Sequence, residues 1–152
     1  KHLERWLAPR EERLFDALED RYILFGEWCA ARHSIAYDCL PDWFIGFDLF
    51  DRHRELWLDA EGRNRVLDAI GLVPIRRVAA GTYSLANLKE LLADTDSVYH
   101  RGPVEGLYIR VEAEGRLVAR AKLVRAGFIQ AIDDHWRGRT IEWNTLDPRA
   151  AA

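Results

Sequence analysis

The sequence predicts a mixed α+β fold with largely antiparallel sheets and flanking helices. Two apolar runs rich in aromatic residues, at 22–29 and 43–51, are bounded by Gly, Pro and Asp, which is typical of β-strands. Two later runs, at 105–112 and 116–124, alternate apolar and polar residues around Ala113-Glu114-Gly115, as a β-hairpin does. Segments with helical spacing lie around these strands, and this order of elements favours an α+β domain.

A first amphipathic helix is predicted to start after Pro9. Two glutamates follow this proline, and the N-terminus of a helix tolerates proline and favours negative charge. Leu14, Phe15 and Leu18 recur at helical spacing. We therefore expect these three side chains to pack into the core.

The middle of the chain adds shorter elements to the first sheet. Residues 56–58 extend it as a further strand. Residues 59–71 predict a short helix that ends at Gly71. Residues 72–78 predict an edge strand, because Pro74 has no amide hydrogen to donate to a neighbouring strand.

A further helix is predicted from the N-cap Ser84 through Leu92. Its leucines are expected to face the core: Leu85, Leu88, Leu91 and Leu92. A polar loop follows at 94–103. After the hairpin, the pattern predicts a helix at 128–136 and a short strand or tail at 141–143.

The composition is that of one ordinary globular domain. The chain has 152 residues, of which 49% are apolar and 31% charged, so it can bury a sizeable core. We expect residues 1–152 to form a single domain. The net charge of −3, from 22 basic and 25 acidic residues, gives no global electrostatic argument for nucleic-acid binding.

No apolar run approaches the roughly 20 residues that a membrane helix needs, and the first residues lack the apolar core of a signal peptide. Cys29 and Cys39 lie ten positions apart without a CxxC pair, which fits reduced thiols better than disulfides or a zinc site. We therefore expect a soluble, cytoplasmic protein.

Several common catalytic patterns are missing from the sequence. It contains neither a P-loop nor a GxGxxG fingerprint, and its five histidines are too scattered to form a zinc site. Ser34 beside His33 does not indicate a catalytic triad, because adjacent residues of an extended chain point to opposite sides.

Four features remain that could carry chemistry. Glu27 lies at the end of the first strand, Phe47 lies in the second, Glu105 opens the hairpin, and Lys122 lies on its returning strand. Taken singly, each has an ordinary structural explanation: a carboxylate at a sheet edge, a core Phe, a turn and a surface Lys. Their combination is what suggests a site.

Together these features resemble motifs III, IIIa, IV and V of the covalent nucleotidyltransferases, in the same order. The strings are Gly26-Glu27, Phe47-Asp48, the run 105–110 and Arg120-Ala121-Lys122. The longer strings resemble the ATP-dependent RNA ligase family from about residue 22 to residue 143: 25–28, 32–38, 40–44 and 121–125. This resemblance implies a partial adenylyltransferase domain of the ATP-grasp-like ligase type.

The resemblance also implies an activity, its cofactors and its partners. A lysine attacks the α-phosphate of ATP, the AMP passes to an RNA 5′-phosphate, and an RNA 3′-hydroxyl then displaces it. In this sequence Glu27 would accept hydrogen bonds from the ribose and Phe47 would stack on the adenine. Glu105 would hold Mg²⁺, because a hard cation prefers carboxylate oxygen.

The same resemblance assigns catalytic and substrate contacts. Lys122 and Arg120 would neutralise the charge that develops on the α-phosphate. Many family members have a second Lys where this chain has Arg120. Arg32 and His33 would contact a phosphate or the RNA end, or would serve only the structure of their loop.

The family's nucleophile is the departure from this pattern. It lies in a Lys-x-Asp-Gly string, and none of the three lysines, Lys1, Lys89 and Lys122, lies in one. The chain also has no methionine. We therefore expect the C-terminal part of an RNA ligase nucleotidyltransferase domain, without its motif I region and inactive alone.

Two alternatives remain open. One is a non-catalytic module that binds a nucleotide or an RNA end. The other is a relative of capping guanylyltransferases or DNA ligases, which the string Arg32-His33-Ser34 disfavours.

Overall fold

Two sheets flanked by helices make up the structure, which confirms the predicted α+β class. The computed structural model describes residues 1–32, 35–126, 141–147 and 149. Its helices are α1 His2–Leu7, α2 Glu11–Leu18, α3 Ala60–Ala69 and α4 Leu85–Asp94, with a 3₁₀ turn, Ala8–Arg10, between the first two. Its strands are β1 Tyr22–Trp28, β2 Phe44–Asp51, β3 Leu56–Trp57, β4 Val73–Pro74, β5 Gly106–Ala113 and β6 Arg116–Val124. None of these helices is long and apolar enough to cross a membrane.

The first sheet is centred on β2, which pairs antiparallel with β1 along its whole length. The register shifts in the middle of this pair. Phe25 pairs with Asp48 but Gly26 pairs with Gly46, so Phe47 is the extra residue of a β-bulge. Such an insertion bends the strand and changes the direction of its side chains. The alternation of side chains between the two faces of the sheet is therefore offset by one residue on either side of Phe47.

Two short strands complete this sheet on the other side of β2. Strand β3 pairs antiparallel with the C-terminal end of β2, and β4 pairs parallel with the N-terminal part of β2. The predicted edge strand at 72–78 is thus present but only two residues long. Its pairing continues through one more hydrogen bond, from Ile75 N to Gly46 O at 2.8 Å.

One core cluster fills the space between the helices and this sheet. Trp6, Leu67 and Ile70 are buried in it, and Leu14 packs against it. The predicted core position of Phe15 is wrong, because this side chain is 69% exposed. Helix α2 packs against the sheet through the side that carries Leu14. The apolar residues of α2 therefore cover a wider arc of the helix than the part that contacts the sheet.

The second sheet is the predicted hairpin of β5 and β6. Its strands pair from Gly106 opposite Val124 to the turn, where Glu114 and Gly115 both have positive φ. Positive φ at both turn residues matches the twist of a two-residue hairpin. An isolated bridge from Leu58, next to β3, to Arg116 joins the two sheets.

Helix α4 begins where the sequence predicts. Ser84 and Asn87 form a reciprocal capping box. Leu92 is buried as expected, whereas Leu85 is 61% exposed, so its predicted core position is wrong. The helix is anchored by its last turn, where the guanidinium of Arg125 donates to the carbonyls of Leu92 and Ala93.

The end of the described chain lies along the loop between β1 and β2. Ala31 bridges to Trp143, and Leu40 bridges to Leu146. The expected strand at 141–143 is therefore a single bridge. The predicted helix at 128–136 lies outside the described residues.

Candidate functional site

A buried carboxylate links the two sheets at the centre of the candidate site. Asp48 is 1% exposed and lies directly after the bulge of β2. Tyr108 of β5 donates its hydroxyl to Asp48 Oδ2 at 2.5 Å, and Arg120 of β6 donates to the same oxygen at 2.9 Å. Arg110 pairs with the other oxygen, Oδ1. The hairpin is thus held against β2 by hydrogen bonds to a charged acceptor, which are stronger than neutral ones.

The bulge residue Phe47 is held through its own carbonyl oxygen. Arg63 of α3 donates to this oxygen at 2.6 Å, and Arg110 donates to it at 3.2 Å. Arg63 is buried, and its burial lowers the pKa of the guanidinium. The ring of Phe47 is half-buried and meets the Tyr108 ring edge-on, with centroids 6.0 Å apart. Two guanidinium groups therefore fix the backbone at the position where the sequence suggests an adenine contact.

An aromatic cluster extends the site toward β1 and β3. The Trp57 ring lies 5.0 Å from the Phe25 ring and 5.1 Å from the Phe50 ring, and the Arg120 guanidinium lies over Trp57 at 4.5 Å. Glu27 is two positions from Phe25 on a regular strand, so both side chains share one face. The face of β1 that carries Glu27 is thus the face toward the hairpin.

Lys122 lies on the same face of the hairpin as Arg120. It is directly opposite Tyr108 in the register, and Arg120 is directly opposite Arg110. Side chains at directly opposed positions project to the same side of a sheet. Because Tyr108 and both arginines reach Asp48, this face is the one that looks onto β2, and Lys122 is exposed on it.

Two carboxylates of the candidate site flank the loop after β1. Burial raises the pKa of the Cys29 thiol to about 12, and the negative charges of Glu27 and Glu105 add to this effect. Burial also raises the pKa of the Tyr37 phenol, again with a contribution from both glutamates. The charges of Glu27 and Glu105 thus both act on the loop after β1, although 78 positions separate them in the sequence.

Glu105 is held by a tyrosine of this loop. The Tyr37 hydroxyl donates to Glu105 Oε1 at 2.8 Å. The side chain of Asn144 accepts from Tyr37 N at 2.8 Å and donates to Cys29 O at the same distance. The end of the described chain thus fixes the loop that positions Glu105.

Of the two predicted substrate residues, Arg32 and His33, the structure describes only Arg32. Arg32 pairs through its guanidinium with the carboxylate of Glu142, and its amide donates to the Glu142 carbonyl at 2.9 Å. These contacts give Arg32 a role in joining the loop to the end of the chain. His33 lies outside the described residues.

A single-carboxylate Mg²⁺ site suits the donors around Glu105. Among the described residues, no group of three or more His, Cys, Asp or Glu side chains could hold a metal. Mg²⁺ that travels with a nucleotide needs only one or two protein carboxylates, because phosphates and water supply the other ligands. The described residues around Glu105 therefore do not form a metal site by themselves, and a single carboxylate suits a Mg²⁺ that brings its other ligands with it.

Sequence reasoning missed the residues that hold this site together. Asp48 belongs to the string Phe47-Asp48, but the sequence predicts no role for it, nor for Arg63, Tyr37 or Asn144. One signal is present in the sequence. Asp48 lies between apolar residues of a central strand, and Arg110 and Arg120 lie on an alternating hairpin, which suggests buried pairing.

The family of the chain follows from comparison with known proteins. A family model described as RNA ligase matches residues 1–124, which include Glu27, Phe47, Glu105 and Lys122. The match covers most of the chain, so the chain belongs to the RNA ligase family, and its function is of the ligase type. Searches of curated proteins and of solved structures returned no match.

Proposed function

We propose that this chain forms the nucleotide-binding part of an ATP-dependent RNA ligase that joins RNA 5′-phosphate and 3′-hydroxyl ends. The observation that carries the proposal is the shared face between the two sheets. Arg120 contacts the Asp48 hub on this face, and Phe47 lies next to Asp48 at the bulge. Lys122 shares the Arg120 face of the hairpin, and Glu27 shares the Phe25 face of β1. This combination offers an aromatic ring, acceptors and positive charge to one nucleotide.

The adenosine half of ATP would bind between β1 and the bulge. Phe47 would stack on the adenine, and such a contact contributes about 1–3 kcal/mol. Two guanidinium groups hold the Phe47 carbonyl, so the backbone that carries the ring is fixed before the nucleotide binds, which reduces the entropy lost on binding. Glu27 is exposed and would accept hydrogen bonds from the ribose hydroxyls.

The phosphates would bind beside β6. The Arg120 side chain is 47% exposed although it contacts Asp48 and Trp57, so it keeps donors for a second anion. Lys122 supplies a second positive charge two residues further along the same face of β6. These two cations would neutralise the charge that develops on the α-phosphate as pyrophosphate leaves.

Glu105 would hold Mg²⁺ at the phosphates. When bound, the ion would withdraw electron density from the phosphoryl oxygens and stabilise the leaving pyrophosphate. The contribution of this chain is a carboxylate oriented by Tyr37, close to the start of β5.

The nucleophile is the missing part of this assignment. No lysine of the sequence lies in Lys-x-Asp-Gly, and covalent catalysis needs an activated nucleophile. We propose that residues outside this chain supply it, and that these 152 residues are the C-terminal part of the nucleotidyltransferase domain. The same absence supports a second candidate function, a non-catalytic module that binds a nucleotide or an RNA end.

We propose that the protein is cytoplasmic. Both cysteines are free, and Cys29 is buried, as suits thiols in a reducing compartment.

Transfer of label from ATP tests these two functions. The chain is incubated with Mg²⁺ and ATP labelled at the α-phosphate, and acid-resistant label on the protein is measured. We expect none on the 152-residue chain, and label on a longer protein that carries Lys-x-Asp-Gly upstream. Absence of label on such a protein would contradict the ligase function and favour the binding module.

A further inference from the structure

Tyr37 lies in the loop between β1 and β2 and touches the carboxylate of Glu105. Its hydroxyl donates to Glu105 Oε1 at 2.8 Å, across 68 positions of sequence. Within the described residues, this is the one hydrogen bond that the Glu105 carboxylate accepts. The Tyr37 hydroxyl thus engages one oxygen of this carboxylate, Oε1.

The position of Tyr37 is fixed from two directions. On the backbone side, Tyr37 N donates to Asn144 Oδ1 at 2.8 Å, and Tyr37 O accepts from Thr145 N at 3.0 Å. On the ring side, the Tyr37 ring meets the Tyr99 ring edge-on, with ring centroids 6.4 Å apart. The His100 ring lies next to it, with ring centroids 5.6 Å apart. A donor held this firmly restricts the carboxylate that it contacts.

We propose that Tyr37 is the positioning residue for Glu105: its hydrogen bond to Oε1 orients the carboxylate that would hold the Mg²⁺ of a bound nucleoside triphosphate. This inference rests on the proposed function, because it takes Glu105 as the metal-binding carboxylate. Hydrogen bonds to the ligands of a metal fix their orientation, and loss of such a partner typically weakens metal binding by about 10–100-fold. Tyr37 itself touches neither the metal nor the nucleotide in this arrangement.

A purely structural role for the same hydrogen bond makes a different prediction. In that case Tyr37 only ties the loop to the hairpin, and its loss changes ATP binding equally with and without Mg²⁺. The positioning role changes only the part of ATP affinity that depends on Mg²⁺. The ratio of the two dissociation constants therefore separates these roles.

The experiment measures ATP binding to the 152-residue chain by calorimetry, once with Mg²⁺ and once with EDTA. Tyr37→Phe keeps the ring and removes the donor, and Glu105→Gln removes the charge of the ligand. Tyr99→Phe is the matched control, because its hydroxyl accepts from Arg76 N at 3.1 Å and makes no contact with Glu105. We expect Tyr37→Phe to reduce the Mg²⁺-dependent gain in affinity about tenfold, and Tyr99→Phe to leave it unchanged.

A double variant completes the test. If Tyr37 acts through Glu105, then Tyr37→Phe adds no further loss of the Mg²⁺-dependent gain to Glu105→Gln.

The outcomes that overturn the inference are distinct from those that overturn the proposed function. If Glu105→Gln loses the Mg²⁺-dependent gain and Tyr37→Phe keeps it, the positioning role is wrong and the metal role of Glu105 stands. If Glu105→Gln also keeps the full gain, Glu105 does not hold the metal, and both the inference and that part of the proposed function fail.

Discussion

Replacing Asp48 by Asn tests the hub that joins the two sheets. The change removes a buried negative charge and leaves Arg110, whose side chain is only 10% exposed, beside a neutral amide. Breaking one partner of a buried ion pair costs about 3–5 kcal/mol. Arg110 keeps Glu112 as a second partner at 2.6 Å and the Leu58 carbonyl at 2.7 Å, so the lower end of this range applies. We expect Asp48→Asn to reduce the free energy of unfolding by about 3 kcal/mol.

Arg120→Ala is the control for this prediction. Arg120 contacts the same carboxylate, but its side chain is 47% exposed, so water and salt screen the pair. Its loss is expected to cost about 1 kcal/mol or less. Both variants are measured by urea denaturation at one ionic strength. The reasoning is refuted if Asp48→Asn costs less than about 1 kcal/mol, or if Arg120→Ala costs as much as Asp48→Asn.

Two further predictions concern stability away from the nucleotide. Asp51 accepts from Arg21 at 2.8 Å, and this pairing lowers the pKa of its carboxyl, so its stabilisation is complete above about pH 4 and is lost as the pH falls through the lowered value. Asp51→Asn should therefore flatten the acid side of a plot of unfolding free energy against pH, and an unchanged slope would count against the pairing. Asn144 is 4% exposed and bonds both Tyr37 N and Cys29 O. Asn144→Ala should cost about 2–3 kcal/mol in urea denaturation, because it leaves these backbone groups without partners, and a loss within experimental error would show that the loop is held in another way.

The strands were predictable because their signals are local. The apolar runs of β1 and β2 and the alternation of the hairpin each appear within a short stretch of sequence. The capped start of α4 at Ser84 is equally local. The sequence does not predict helix α1, because six residues are too few to show a helical repeat of apolar positions. The burial of Trp6 against the sheet stabilises this helix.

Periodicity indicated helical faces but not how far they are covered. Phe15 and Leu85 follow the helical pattern and yet are exposed, because only part of each helix meets the sheets. How much of a stripe is buried depends on the neighbouring elements. That information is not present in the stripe itself.

The candidate site was predictable as a set of residues but not as an arrangement. Resemblance pointed to Glu27, Phe47, Glu105 and Lys122, whose roles remain predictions. The bulge at Phe47 depends on how β1 and β2 are paired. The alternation of apolar and polar residues in one strand does not show where its partner skips a residue.

Contacts between distant residues were the least predictable part of the site. The pairs Tyr37–Glu105 and Asp48–Arg120 join residues 68 and 72 positions apart. Nothing in the sequence near Tyr37 or Asp48 indicates which distant residue will be its partner. Only the folded chain brings the partners together.

Binding of ATP to the 152-residue chain and to its Phe47→Ala variant tests the central claim most directly. The claim is that the face between the sheets is a nucleotide site with Phe47 against the adenine. Calorimetry in Mg²⁺ should show saturable binding of ATP to the unaltered chain, weakened about 5–150-fold in the variant, as expected for loss of a stacking contact of about 1–3 kcal/mol. Equal binding by both proteins, or no binding by the unaltered chain, would contradict the account.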